Sequence, residues 1–150
     1  MPLEQEIKTN KFSSEVHKAQ LNILFSANWL RTRISTSLKP FGLTIEQFNV
    51  MRIIRGQQDH GVLIKDITKR MLERNSNTTR IIDRLEKKGL VQRLLSQQDR
   101  RERPVILTET GTALLAAIDR SWQTNNPHSA PLTAEEAQQI NQLLDKMREG

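Results

Sequence analysis

Apolar residues recur at helical spacing along most of this chain. In residues 12–39 a 3.6-residue period places one apolar stripe along a single long helix, which Pro40 ends. Leu21, Phe25 and Trp29 form a second apolar group, roughly on the opposite side. A helix that is apolar on two sides must be covered on both, so the pattern predicts that a second copy of the chain covers one of them.

Seven further elements follow this helix. Thr44 and Gln47 form a capping box, in which each side chain satisfies a backbone N–H group of the other residue, and this box opens the next helix. The predicted elements are helices at about 44–56, 64–72 and 76–88, strands at 90–95 and 105–107, and helices that begin after Thr108 and Thr133.

A short helix, a tight turn, a second helix and a two-stranded hairpin are typical of a winged helix-turn-helix. We therefore predict a mainly α fold with a small two-stranded β wing, flanked by N- and C-terminal dimerisation helices. One domain is expected over residues 1–150. Its DNA-binding lobe would occupy about 44–107, and its helical dimerisation region about 1–39 and 108–150.

The charge pattern favours a polyanion as partner. The chain has a net charge of +6, and residues 62–103 contain 12 basic and 6 acidic residues, whereas the rest of the chain is balanced. A basic excess confined to the predicted helix-turn-helix and hairpin is typical of a nucleic-acid-binding surface. A solvated basic face without a partner is the alternative.

The helix predicted at 76–88 has the features of a recognition helix. Asn77, Arg80 and Arg84 share one side of it, away from its apolar residues. In a major groove Arg80 would bind guanine and Asn77 would bind adenine. The residues predicted to contact phosphates, and so to determine the register on DNA, are Ser76, Thr79 and Lys65. An ordinary amphipathic helix with a solvated basic side is the alternative.

The hairpin tip carries Asp99, Arg100 and Arg101 in a wholly polar segment. A narrow minor groove concentrates negative potential and attracts inserted arginine. The nearby carboxylate would orient one guanidinium through a bidentate pair. A solvated charge cluster explains the same residues without DNA.

Several segments occur in a specific order and spacing. They are Leu43-Thr44 with Gln47, residues 64–71, residues 79–91 followed by Arg93, Asp99-Arg100-Arg101, and Leu107-Thr108 followed by Gly111. Over residues 43–115 this set resembles the MarR family of bacterial transcriptional regulators. The resemblance implies a homodimeric repressor on a pseudo-palindromic operator, with recognition helices in successive major grooves and wings in the flanking minor grooves. It also implies that Arg101 is the minor-groove arginine and Asp99 its orienting partner.

Two features bear on how far the resemblance extends. Thr68 and Thr78 stand where the family more often has apolar or small residues, so looser local packing is expected. Members of the family often respond to small aromatic or phenolic anions held between the dimerisation helices and the DNA-binding lobe. The residues that would line such a pocket are Phe25, Trp29, Met51 and Arg55, although core packing explains the apolar three equally well.

Other function classes find little support in the sequence. The three histidines lack zinc-ligand spacing, and no phosphate-binding loop or nucleophile–base motif is present, so we expect no enzyme, metal or cofactor. Cysteine is absent, which excludes thiol-based redox sensing. No apolar run spans a bilayer and residues 1–11 form no secretory signal, so a cytoplasmic protein without a membrane partner is expected. A winged helix that binds another protein without reading DNA remains the alternative function.

Overall fold

The computed structural model describes residues 1–57, 60–95 and 102–150. Its elements are α1 (Leu3–Glu6), α2 (Glu15–Leu38), a 3-10 helix (Lys39–Phe41), α3 (Ile45–Arg55), α4 (Ile64–Arg70), α5 (Thr78–Lys87), β1 (Val91–Arg93), β2 (Val105–Leu107), α6 (Glu109–Thr124) and α7 (Ala134–Arg148). The mainly α fold with a two-stranded wing is confirmed. Within the described ranges, none of the helices is long and apolar enough to cross a membrane.

The N-terminal region differs from the sequence prediction. The long helix begins at Glu15 rather than at residue 12, because the Ser14 side chain accepts a hydrogen bond from the backbone N–H of His17 and caps it. The short helix α1 was not predicted. Its Leu3 is buried, and its Glu4 forms an ion pair with Lys18 of α2. The hydrogen bond from Lys18 lowers the pKa of the Glu4 carboxyl.

Helix α3 lies at the centre of the core. The predicted capping box is confirmed, with both hydrogen bonds between Thr44 and Gln47 measuring 3.1 Å. Residues 47–51 are all buried because α2, α4, α5, α6 and β2 pack around α3. The core side chains contributed by the surrounding elements include Leu38, Ile67, Ile82, Leu85, Val91, Val105, Leu115 and Ile118.

The wing is built on a short antiparallel ladder. Its register pairs Val91 with Leu107 and Arg93 with Val105, so β1 is shorter than the predicted strand at 90–95. Val62 adds a third backbone segment through two 2.9 Å hydrogen bonds with Val105. The sequence did not predict this bridge because one residue has no alternation from which a strand can be recognised.

The outer helices leave much apolar surface exposed. The C-terminal end of α2 packs into the core through Leu38, but Leu24 is 67% exposed, and α7 has no buried residue. Leu143 of α7 is 66% exposed. Val16 and Leu30 on the first apolar side predicted for α2, and Trp29 on the second, are also exposed, so this chain alone covers neither side over its full length.

Candidate nucleic-acid interface

Helix α5 separates an apolar side from a cationic side. Ile82 and Leu85 are fully buried against the core, whereas Arg80, Arg84 and Lys87 are exposed. This helix packs on α3, β1 and α4, which fixes the direction in which the cations point. Thr79 is exposed at the N-terminal end of the same helix. The arrangement offers positive charge and hydrogen-bond donors on a rigid helix.

The start of this helix differs from the prediction of residue 76. Asn77 is the N-cap, and its Oδ1 accepts a 3.2 Å hydrogen bond from the backbone N–H of Arg80. Ser76 lies in the preceding turn, where its hydroxyl donates to the carbonyl of Glu73 at 2.8 Å. A bidentate contact with adenine uses both the oxygen and the nitrogen of an asparagine amide. The cap therefore competes with the base-reading role predicted for Asn77.

Lys65 lies at the N-terminal end of α4 and is exposed, as expected for a phosphate contact. Its Nζ is 3.2 Å from Oε1 of Glu102, which follows the hairpin tip. A cleft of about 280 Å³ opens beside this pair, and its lining includes Arg93 and Arg103. In the chain without DNA, the Glu102 carboxylate therefore pairs with the Lys65 ammonium.

Arg93 joins the wing to the recognition helix. From β1 its guanidinium donates to Asp83 at 2.5 Å and to Glu86 at 2.9 Å, both on α5. The backbone N–H of Arg93 also donates to Glu86. Burial opposes the charged guanidinium, but the hydrogen bond and attraction of Asp83, together with those of Glu86, outweigh it and raise the pKa of Arg93. The sequence analysis missed this contact, because it placed Arg93 in the basic excess and in the family pattern without assigning it a partner.

Lys88 also has a structural role. Just beyond α5 its Nζ donates to the carbonyl of Gly42 at 2.6 Å and to Oε1 of Gln47 at 3.2 Å. The basic block therefore divides into cations that hold the lobe together and cations that face solvent. Within the described ranges, the block's exposed basic residues without a carboxylate in ion-pair distance include Arg70, Arg74, Arg80, Arg84 and Lys87.

The predicted wing-tip residues Asp99, Arg100 and Arg101 lie outside the described residues. Their predicted roles therefore remain expectations from the sequence. The described part of the wing ends at Leu95 and resumes at Glu102, with the backbone N–H of Leu94 donating to the carbonyl of Pro104 at 2.8 Å.

The four residues predicted to line an effector pocket have different environments. Met51 is fully buried in the core, and Phe25 is half-buried on α2. Arg55 faces α6, where it pairs with Asp119 at 2.7 Å. The Trp29 ring is exposed and lies 4.8 Å below the guanidinium carbon of Arg33. The structure of one chain gives these residues separate packing roles.

The described residues contain no group of three or more His, Asp or Glu side chains that could hold a metal ion. What they do bring together is the cationic side of α5, Lys65 at the start of α4, and the base of the wing, which Arg93 ties to α5.

Comparison with known proteins agrees with this arrangement. The MarR family model matches residues 43–102, from the turn before α3 into the wing. Over these residues the chain is similar to the MarR family. A cysteine-to-serine variant of MarR from Escherichia coli, solved with operator DNA, is similar over 92% of this chain and 99% of that one, with a TM-score of 0.78 and 26% identity.

Two curated relatives of this chain are named transcriptional regulators. The regulator YfiV of Bacillus subtilis is 34% identical over 59% of this chain and 56% of its own length. The transcriptional repressor MprA of Escherichia coli is 30% identical over 73% of this chain and 63% of its own length. The match thus spans little more than half of these relatives.

Proposed function

We propose that this chain is a sequence-specific transcriptional regulator of the MarR family that binds double-stranded DNA as a homodimer and represses transcription. The cationic side of α5 carries the proposal. Arg80 and Arg84 project from a helix whose opposite side, through Ile82 and Leu85, is fully buried, so their positions relative to the lobe are well defined. Such a helix meets the requirements for major-groove recognition.

Two of the similar proteins support the DNA and repressor parts of the proposal. The Escherichia coli MarR variant was solved with operator DNA, and MprA is named a transcriptional repressor. In this chain Arg80 would read a base edge, whereas Lys65 and Thr79 would contact phosphates. Arg84 and Lys87 extend the positive potential along the same helix. The sequence leads us to expect that the wing tip, with Arg100 and Arg101, reaches the minor groove, and that Asp99 orients the inserted Arg101.

Exposed apolar side chains on the outer helices support the homodimer. Leu24 on α2 and Leu143 on α7 are each about two-thirds exposed, and Ile140 and Met147 add to the surface of α7. A helix with an apolar stripe and no buried residue requires a partner. We assign α1, α2, α6 and α7 to the dimerisation region and residues 44–107 to the DNA-binding lobe. Two-fold symmetry would then match a pseudo-palindromic operator.

The proposal includes release of the DNA by a small aromatic or phenolic effector. One chain gives separate packing roles to Phe25, Trp29, Met51 and Arg55. An effector site that contains all four would therefore have to form when two chains associate. A winged helix that binds a protein instead of DNA is the second candidate, and the experiment below distinguishes it.

Selection of duplexes from a random-sequence DNA pool tests the proposal directly. The purified full chain should enrich a two-fold symmetric site and bind it as a dimer, as measured by light scattering. Binding to the enriched duplex should weaken steeply with salt, by about 10³–10⁵ between 50 and 200 mM if six to ten phosphates are contacted. No enrichment, or binding that salt does not affect, would overturn the DNA-binding function and favour the protein-binding alternative.

Arg80→Ala tests the recognition helix. The substitution should weaken binding to the enriched duplex by about 1–3 kcal/mol and relax the preference at one base position in each half-site. Arg148→Ala is the matched control, because Arg148 pairs only locally with Asp145 at the end of α7. A uniform loss across all duplex sequences would show that Arg80 contacts phosphate rather than a base.

A further inference from the structure

The two helices of the helix-turn-helix are joined by a pair of threonine hydroxyls. Thr78 is the first residue of α5 and is only 3% exposed. Its Oγ1 lies 2.8 Å from Oγ1 of Thr68, which is half-buried on α4. Within the described ranges this is the only side-chain hydrogen bond between α4 and α5. Thr68 Oγ1 also lies 2.9 Å from the carbonyl oxygen of Ile64.

The number of available protons determines which threonine hydroxyl donates and which accepts. Each hydroxyl has one proton to donate, and the carbonyl of Ile64 can only accept. Both contacts are satisfied together only if Thr68 donates to Ile64 and Thr78 donates to Thr68. Three groups from two helices are then linked in one directed chain. Thr68 and Thr78, which depart from the family pattern, are therefore hydrogen-bonded to each other. This contact does not indicate the looser packing that the sequence predicted around them.

We propose that Thr68 and Thr78 are positioning residues that hold the N-terminal end of the recognition helix in register with α4, and thereby control how well the protein discriminates between DNA sequences. The middle of α5 is held by Arg93 and the region just after it by Lys88. The N-terminal end of α5, with Asn77 and Arg80, is held to α4 by the threonine pair. This inference rests on the proposed function.

A hydrogen bond differs from apolar packing in what it restrains. Two facing apolar side chains of the same volume fill the space but tolerate sliding, whereas a 2.8 Å hydroxyl pair requires one distance and one direction. Base contacts need such accuracy, because a donor fork that shifts along the groove loses its bidentate geometry. Phosphate contacts by long, exposed lysine and arginine side chains depend much less on it.

Valine substitutions test the pair, because valine keeps the shape of threonine and removes the hydroxyl. Thr68→Val, Thr78→Val and the double variant are titrated with the enriched duplex and with a duplex of scrambled half-sites, below the melting range of every variant. Each single variant should lower the ratio of the two affinities by about tenfold, the lower part of the range for one mismatched base pair. Affinity for the scrambled duplex and the salt dependence should stay within about twofold of wild type.

Stability should follow a different order from discrimination. Thr68→Val leaves the buried hydroxyl of Thr78 without an acceptor, whereas Thr78→Val leaves Thr68 bonded to Ile64, so Thr68→Val should melt at the lower temperature. In the double variant no hydroxyl is stranded, and its melting temperature should recover toward that of Thr78→Val. Its discrimination should not recover. A purely structural role predicts that discrimination and stability recover together.

Two further variants complete the test. Thr78→Ser keeps the hydroxyl and should keep the affinity ratio within about twofold of wild type, and Thr110→Val removes an exposed hydroxyl on α6 as a matched control. If the wild-type protein enriches no sequence, the proposed function fails and the inference with it. If the wild-type protein discriminates and both valine variants discriminate equally well, or Thr78→Ser fails as Thr78→Val does, this inference alone is overturned.

Discussion

At Gly111 the start of α6 lies unusually close to Leu90, the residue just before β1. A Cβ atom placed on this glycine would lie 2.1 Å from the carbonyl oxygen of Leu90 and 3.1 Å from its carbon. The segment cannot easily withdraw, because the backbone N–H of Thr108 donates to the same Leu90 oxygen at 3.1 Å. The hydroxyl of Thr108 donates to the carbonyl of Gly89 at 2.6 Å. The methyl group added by Gly111→Ala is therefore forced against the backbone of Leu90.

Local propensity and tertiary packing predict opposite signs for this substitution. Alanine is favoured over glycine inside a helix by about 1 kcal/mol, so the sequence of α6 alone predicts stabilisation. The closest favourable C···O contacts are about 3.3 Å, so the two backbones must separate by about 1.2 Å. Overpacking of this kind costs about 1–3 kcal/mol, and loss of the Thr108–Leu90 hydrogen bond costs about 0.5–1.5 kcal/mol more. The net expectation is a loss of about 0.5–3.5 kcal/mol.

Thermal unfolding followed by circular dichroism measures the effect, at one protein concentration because the proposed dimerisation would make the melting temperature concentration-dependent. A chain of this length should melt about 1–14 °C lower. Gly56→Ala is the matched control. Gly56 ends α3 with a φ of −68°, and its added Cβ would meet nothing closer than 3.6 Å. The control should be neutral or slightly stabilising. A Gly111→Ala variant as stable as the Gly56→Ala variant would refute the reasoning.

Two further predictions concern charges at the base of the wing. Arg93→Gln should lower the unfolding free energy by about 1–2 kcal/mol in urea titration, because the Arg93 side chain is only 14% exposed although its carboxylate partners are hydrated; a loss no larger than that of Arg148→Gln would contradict this. Glu102→Gln frees Lys65 and should tighten binding to both enriched and scrambled duplexes by about 1.5- to 5-fold, the range expected for an exposed ion pair. Glu149→Gln removes the same charge far along the chain, and an equal gain from it would show that only net charge matters.

Together these contacts describe a recognition helix that is fixed to its lobe at several points. Thr78 holds its N-terminal end, Arg93 its solvent-facing side, and Lys88 the residue after its C-terminal end. Each contact joins residues on different elements. The exposed Arg80 and Arg84 then project from a helix whose position the lobe determines, which is what base recognition requires.

Most elements of the fold could be predicted from the sequence because their signals are local. Helical spacing of apolar residues, the capping box of Thr44 and Gln47, and the left-handed Gly89 after α5 act within a few residues of one another. The confinement of the net charge to residues 62–103 likewise requires only counting. These signals led to the winged helix-turn-helix and to α5 as the reading element, although the helix start was misplaced by two residues because Ser76 and Asn77 are both good caps.

The tertiary structure alone decided which polar residues serve the fold and which remain available to a partner. Arg80 and Arg93 are the same residue type in the same basic block. Of these two, only Arg93, on β1, pairs with two carboxylates of α5. Thr68 and Thr78 are ten residues apart and are partners because α4 and α5 cross there. The close approach of Gly111 to Leu90 depends on how α6 packs against the wing. Such contacts depend on distances between elements, and no spacing along the sequence encodes those distances.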